Sequence, residues 1–400
     1  MKKRGMYIVL GMIIFMCLGT IYSWSVFRKP LEGLFDITST QSGLPYMIFL
    51  AVYALSMPIG GMIIEKLGPK LTVIIGGGAV SLGWILSSFA SGITAIAITY
   101  GVVGGFGIGL AYGAPLSVAA KWFPEKKGFA LGLTLLGFGF SPFVTAPFSR
   151  YLIANYGPLS SFKILGFLFL AVITILALPL RFPRTGEVTT ETTQNQNNGQ
   201  DISVKGMFKT KQFYGLWLCM TIGTFAGLTA IAITSPLAQE VIKLNAKTAA
   251  FMVSLFAIFN GVGRPIFGVL TDKIGVAASA VVSYLLIICA SIIILFTGEG
   301  TVVRYVIAFA MFWMILGGWL AIAPTATTNL FGAKHYSRNY GFVFTAYGCG
   351  AILGVLLSGS IKDAFGSYLN TFYATIALGI LGIVIALLTL KRTPAANNQP

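Results

Sequence analysis

Twelve apolar stretches, each of roughly 20 residues or more, follow one another along this chain of 400 residues. They run approximately over 5–27, 42–64, 71–92, 94–119, 128–149, 160–180, 212–238, 246–270, 277–297, 302–325, 340–361 and 367–390. In hydrocarbon every backbone N–H and C=O must find its partner within the chain, and stretches of this length do so as helices. Charged residues make up only 10% of the chain, against roughly 25% in a soluble domain. The expected fold is an all-α integral membrane protein with twelve transmembrane helices. The first stretch follows Lys2-Lys3-Arg4 and has the outline of a signal peptide. No small-residue cleavage site precedes Arg28-Lys29, so it is expected to remain as a helix.

The formal net charge is +16. If the segments alternate from a cytoplasmic N-terminus, eighteen of the 27 Lys and Arg residues fall on the cytoplasmic side. That asymmetry follows the positive-inside rule, with both termini cytoplasmic in a plasma (cell inner) membrane. It accounts for the charge by topology and leaves no reason to invoke nucleic acid. Cys17, Cys219, Cys289 and Cys349 all fall in apolar stretches, without a CxxC or Cys/His grouping. No disulfide framework, metal site or cofactor is expected. The single histidine, His335, lies in a cytoplasmic loop and reads as a surface residue.

Residues 183–209 are rich in Thr, Gln, Asn and Gly and cannot build a core, so they read as a flexible cytoplasmic linker. The linker separates an N-terminal six-helix bundle, 1–182, from a C-terminal one, 210–390. Residues 391–400 form a cytoplasmic tail.

The halves repeat a signature. Gly61-Met-Ile-Ile-Glu65-Lys66-Leu-Gly68 stands between spans 2 and 3, and Gly268-Val-Leu-Thr-Asp272-Lys273-Ile-Gly275 between spans 8 and 9. With a six-linker-six plan, this duplicated motif resembles the major facilitator superfamily. The resemblance implies two bundles that rock about a midplane site, with the loop motifs as a cytoplasmic gate or latch. Loop acids at helix ends are also ordinary solvated caps, and the second copy lacks the basic residue that follows Gly68-Pro69. Gly101, Gly104, Gly105, Gly107 and Gly109 in span 4, with Gly132, Gly137 and Gly139 in span 5, suit close helix approach. Part of that run imitates a nucleotide loop, but no soluble strand and no Gly-Lys-Ser/Thr accompany it.

Arg264 is the one formal charge deep within a span, in FMVSLFAIFNGVGRPIFGVL. Placing such a charge in hydrocarbon costs about 2.5–3.5 kcal/mol on insertion scales, so something must compensate it. Without an acidic partner in the spans, the compensator is expected to be an anion that comes and goes. A planar guanidinium matches a carboxylate through two parallel hydrogen bonds. Asn260, four residues earlier on the same helical face, could orient the arginine or reach the substrate. The alternative for Arg264 is a structural arginine held by carbonyls that Gly261, Gly263 and Pro265 leave free. Tyr22 in span 1, Tyr112 in span 4, Phe138 in span 5, and Phe344 and Tyr347 in span 11 could wall a small carboxylate site. Each, taken alone, could equally be a packing residue.

At this level the chain resembles the oxalate–formate antiporter family, with monocarboxylate transporters as relatives. The shared residues are Tyr22-Ser23-Trp24, Trp122-Phe123-Pro124-Glu125-Lys126-Lys127-Gly128, Asn260-Gly261-x-x-Arg264-Pro265 and Ser337-Arg338-Asn339-Tyr340-Gly341-Phe342. The resemblance implies that Arg264 binds the substrate carboxylate and that Tyr22, Tyr112, Phe138 and Phe344 help form the pocket. Two departures matter. Where that family has a lysine in span 11, this chain has Val-Phe-Thr-Ala-Tyr347, and its span 10 has Leu316 and Leu320 at expected aromatic positions, with Trp319 close by. A dianion would keep one carboxylate unpaired, at a cost of several kcal/mol. The expected substrate is therefore a monocarboxylate of the lactate, pyruvate or formate type, with oxalate–formate exchange as the alternative. Animal monocarboxylate transporters carry an acid where Asn260 stands, so both proton symport and anion exchange remain open.

A rival intramembrane enzyme would need a nucleophile–base pair, paired acids or metal ligands at membrane depth, and the sequence offers none. A channel would repeat a pore-lining element, whereas this chain has a twofold duplication with one buried charge. The chain is expected to act as a carrier and as a monomer, with the lipid bilayer, a small carboxylate and candidate protons as partners.

Overall fold

The computed structural model describes residues 2–123, 127–184, 187, 201–332 and 335–390. These are almost wholly helical. Helix α1 (Lys2–Leu18) tightens into a 3₁₀ stretch at Gly19–Ser23. It is followed by α2 (39–67) and α3 (69–87), two helices that meet at Gly68, and by α4 (Ile93–Trp122). By length and hydropathy, one further segment, Ala130–Ala177, is 48 residues long. It belongs to the helical run Lys127–Ala177, which Gly157, at φ 78° and ψ 166°, divides into α5 (127–156) and α6 (158–177), bringing the spanning helices among the described residues to twelve. The second half holds α7 (Lys211–Glu240), α8 (Ala246–Ile274), α9 (Val276–Leu295), α10 (Val302–Phe331), α11 (Tyr336–Phe365) and α12 (Thr371–Thr389).

The tight turns explain the glycines of the repeated loop motif. Gly68 and Gly275 sit at φ 75° and φ 83°, a region that side-chain-bearing residues rarely adopt. Pro69 and Pro158 then start the next helix, where a missing N–H is harmless and the fixed φ is already helical.

Within each bundle small residues set the helix approach. A Cβ on Gly137 would stand 2.0 Å from the Met12 carbonyl oxygen, and one on Gly263 would stand 2.1 Å from that of Met314, which locks α5 to α1 and α8 to α10. The bundles meet along two seams, α2 with α11 and α5 with α8. Exchanging the halves maps one seam onto the other, as the sequence duplication requires. Leu55, Phe89 and Leu388 are largely exposed on the outside, the inverted surface of a protein solvated by lipid.

The last part of the expected linker departs from a flexible chain. Val204–Met207 forms a short helix capped by Ser203, and Met207 is fully buried. Phe208 packs edge-on against Phe213 and Phe342, at 4.8 and 5.1 Å between ring centroids. The Asn339 side-chain amide donates to the Ile202 carbonyl at 2.9 Å, and Ile202 N–H donates to the Phe331 carbonyl at 2.9 Å. Ile202, Met207 and Phe208 supply the apolar area that the preceding polar run lacks. Asn339, part of the span-11 family motif, is thereby a docking residue for this segment.

One end of the molecule is bolted across the bundles. Glu240, at the end of α7, pairs with Lys29 and also with Lys362 at 2.5 Å. Asp363 accepts from the Ser39 and Thr40 N–H groups, both at 3.1 Å, and so caps α2 from α11. Fully buried Arg28 donates to the Ala232 carbonyl at 3.1 Å, to the Ser39 carbonyl at 2.5 Å and to Ser42 Oγ at 2.9 Å. At the opposite end Asp272 and Lys273 are exposed and carry no ion pair among the described residues. The Glu65 side chain and residues 124–126 lie outside the described residues. Gly61 and Gly268 have open space where a Cβ would stand.

Candidate substrate site

The site lies where the two seams and α1 converge. The α5–α8 seam is antiparallel and tightly registered. Ser254 Oγ donates to the Pro142 carbonyl at 3.1 Å, Gly139 lies against Asn260 and Gly261, and Arg264 Nη1 donates to the Leu135 carbonyl at 2.9 Å. A Cβ on Gly139 would sit 3.1 Å from Asn260 Oδ1 and 3.2 Å from Gly261 Cα, so an added side chain would find α8 already in close contact.

Arg264 is 7% exposed, and its Nε and Nη2 atoms are buried without a hydrogen-bond partner. Those two nitrogens are neighbours along one edge of the guanidinium. Nη1 is anchored to α5, and the remaining edge presents two parallel N–H donors, the arrangement that a carboxylate accepts. The carbonyl contact assigns Arg264 part of the structural role considered from sequence, but it satisfies one nitrogen of three.

Asn260 faces elsewhere. Its side-chain amide donates to the Trp313 carbonyl of α10 at 3.1 Å, and its Oδ1 is buried without a partner. A Cβ on Gly317 would stand 2.0 Å from the Asn260 carbonyl oxygen, which shows how closely α8 and α10 approach. Its geometry is that of a residue that sets the α8–α10 crossing beneath the arginine.

Around Arg264 stands a cluster of rings drawn from both halves. Phe138 meets Tyr22 edge-on at 5.2 Å and Tyr112 at 5.6 Å. Phe344 stacks on Tyr347 at 5.0 Å with an interplanar angle of 12°. The Tyr22 and Tyr347 hydroxyls are hydrogen-bonded at 2.7 Å. The Arg264 charge lies close enough to act on the Tyr22 and Tyr112 hydroxyls. All five aromatic residues singled out from sequence therefore come together.

Three members escaped sequence reasoning. Tyr53 of α2 contacts Tyr112, Phe344 and Tyr347 at 5.4, 5.5 and 6.0 Å, joining the halves of the cage. Phe15 meets Tyr112 at 5.0 Å and Phe138 at 6.0 Å. Trp313, at 6.4 Å from Tyr22, is the span-10 aromatic that reaches the cage. Trp319, the residue closer to the family positions, packs on Tyr284 at 5.6 Å and against Gly223 instead. Phe15 and Tyr22 are seven residues apart, on one helical face, and that spacing was the available signal.

Of the Tyr22-Ser23-Trp24 motif only Tyr22 belongs to the site. Ser23 Oγ bonds Thr145 Oγ1 at 2.8 Å, and Trp24 stacks on Tyr100 at 4.7 Å within the N-terminal bundle. No group of three or more His, Cys, Asp or Glu residues suited to a metal occurs among the described residues.

A family model, Major Facilitator Superfamily, matches residues 6–330. The oxalate:formate antiporter of Oxalobacter formigenes is 27% identical, covering 98% of this chain and 92% of that protein. Monocarboxylate transporter 2 of Homo sapiens is 27% identical over 90% of this chain and 80% of its own. Among solved structures, a bacterial homolog of the human lysosomal transporter Spinster, inward-facing and unoccupied, superposes with a TM-score of 0.78. It covers 98% of this chain and 99% of its own at 15% identity, a likeness of fold.

Proposed function

The chain belongs to the major facilitator superfamily, and on that footing we propose that it is a secondary active transporter of small monocarboxylates, of the lactate, pyruvate or formate type, working by alternating access. The observation that carries this proposal is the free edge of Arg264, two buried N–H donors without a partner beside an aromatic cage. A buried cation without a counter-charge is expensive, and one carboxylate seated on that edge would complete it. Tyr22, Tyr112, Phe138, Phe344 and Tyr347, with Tyr53 and Trp313, would enclose the rest of a small substrate, and Asn260 would hold the helix that carries the arginine. Asn260 is thereby proposed as a positioning residue.

A second carboxylate would meet tyrosine hydroxyls where a lysine would be needed. The Tyr347 hydroxyl is already paired with Tyr22, so a dianion would have to displace that bond without gaining a charge partner. Oxalate–formate exchange stays as the second proposal because a relative at 27% identity over nearly the whole chain bears that name.

The bolted Glu240 end and the unpaired Asp272 end support a cycle in which the two ends close alternately, with Gly61, Glu65, Lys66, Gly68, Gly268, Asp272, Lys273 and Gly275 acting at the second end. Proton symport and anion exchange are both compatible with a site that holds no carboxylate of its own. The test is uptake into proteoliposomes of lactate, formate, acetate and oxalate, with and without a pH gradient. Saturable monocarboxylate counterflow is expected. Oxalate as the preferred substrate would overturn the monocarboxylate assignment, and non-saturable flux would overturn the carrier.

A further inference from the structure

Between the bundles at the Glu240 end lies a cavity of about 290 Å³, lined by Val26, Lys29, Pro30, Arg150, Ser235, Gln239 and Ala246. Its two charged lining residues are both cations. They come from different places in the N-terminal half, Lys29 from the helix Ser25–Phe35 that precedes α2 and Arg150 from the end of α5. Ser235 and Gln239 from α7 and Ala246 from α8 close it from the C-terminal half.

The local charges do not balance. The network and the cavity beside it contain Arg28, Lys29, Arg150 and Lys362 against Glu32, Glu240 and Asp363. Glu240 is shared between Lys29 and Lys362, and Glu32 is engaged by Lys29 at 3.5 Å and by Ser42 Oγ at 2.6 Å. Asp363 is committed to the Ser39 and Thr40 N–H groups. Arg150 is left over. It has no ion pair among the described residues, and its Nε is buried without a hydrogen-bond partner. Ser235 Oγ accepts from the Gln239 amide at 3.0 Å, which keeps its own O–H available to donate.

We infer that this cavity is an accessory anion site, in which a small carboxylate docks on Arg150 with Lys29 and the Ser235 hydroxyl around it. The inference rests on the proposed carriage of small carboxylates, because the ligand is the same chemical class that Arg264 would receive. Like Arg264, Arg150 has a buried guanidinium nitrogen without a partner among the described residues, beside a space with room for a carboxylate and its hydration. The cavity spans the two halves at the end the ion pairs close, so an anion held there waits beside the closure and is a second acceptor for Lys29.

The test uses the purified full chain in detergent without added lipid, so that no lipid phosphate can supply the anion. Cys17, Cys219, Cys289 and Cys349 are replaced by Ala, a reporter Ala246→Cys is placed in the cavity wall, and Arg264→Gln disables the central site. Labelling by the neutral reagent N-ethylmaleimide is followed with formate and, at matched ionic strength, with bulky gluconate. Formate is expected to slow labelling several-fold and gluconate to leave it unchanged. Adding Arg150→Gln should abolish the protection, and Arg150→Lys should keep part of it. Calorimetry of formate with the Arg264→Gln protein should show one remaining site, a measurement that does not depend on any Arg150 variant folding. Protection that vanishes with Arg264→Gln would assign the anion to the central site alone, which overturns the accessory site and leaves the transport proposal standing. Absence of both protection and binding heat in the Arg264→Gln protein would overturn it as well.

Discussion

Tyr22 and Tyr347 lie 325 positions apart in sequence, yet their hydroxyls share a hydrogen bond of 2.7 Å at the meeting of the two bundles. Each hydroxyl belongs to a ring already fixed by neighbours, Phe138 for Tyr22 and Phe344 for Tyr347. The bond thus joins the two walls of the proposed site. Tyr22→Phe and Tyr347→Phe each remove it, so their effects on substrate affinity should overlap. A double-mutant cycle is expected to return a coupling of about 0.5–1.5 kcal/mol, and strict additivity would mean that the two hydroxyls act separately.

Arg264 presents two adjacent donors with Nη1 held on the Leu135 carbonyl. Lysine keeps the charge but cannot present two parallel N–H groups. Arg264→Lys should therefore weaken carboxylate binding by about 10–100-fold, from the roughly 1.5–3 kcal/mol of a charged hydrogen bond, and Arg264→Ala should abolish uptake. Proteoliposome uptake at equal protein insertion checks both, and uptake retained by Arg264→Ala would remove the arginine from the site.

Tyr347→Lys places a second cation in the cage and removes the bond to Tyr22. Oxalate should then compete better against lactate than it does in the unmodified protein. The ratio of the two inhibition constants is the readout. An unchanged ratio would argue that charge count does not set the preference.

Glu240 ties Lys29 and Lys362 together across the bundles. Glu240→Gln should favour opening at this end, seen as a longer distance between spin labels at Gly33 and Ala364. Lys29 lies outside the spanning segments. Burial pulls its pKa down, while the hydrogen bond and charge of Glu240, aided by Glu32, push it up by more, so it stands above the ordinary lysine value. A raised pKa means that the stabilisation from Lys29 is complete below the ordinary lysine value and is lost only as pH rises through the raised one. The spin-label distance should hold steady from about pH 6 to about pH 9, and a shift with a midpoint in that window would contradict an intact bridge.

Asp272 makes no ion pair among the described residues, while Glu240 bridges Lys29 and Lys362 at the opposite end. Asp272→Asn should slow the transport cycle more than it weakens binding, because its proposed gating role comes into play only when its own end shuts. Exchange rate and binding constant, measured on the same preparation, separate the two effects. A loss confined to affinity would count against gating.

The sequence by itself made legible the twelve apolar spans, the duplicated loop motif and an arginine, Arg264, set among apolar residues. These are local properties, since a backbone in lipid must satisfy its own hydrogen bonds and a charge there stands out against apolar neighbours. Tertiary structure decided which side chains face one another. A helix that is apolar all round gives no period from which to read its inner face, so Trp313 could not be preferred to Trp319 and Tyr53 could not be separated from its neighbours. Nor could sequence tell which Arg264 nitrogens would be free. That depended on the Leu135 carbonyl, supplied from the other half of the chain.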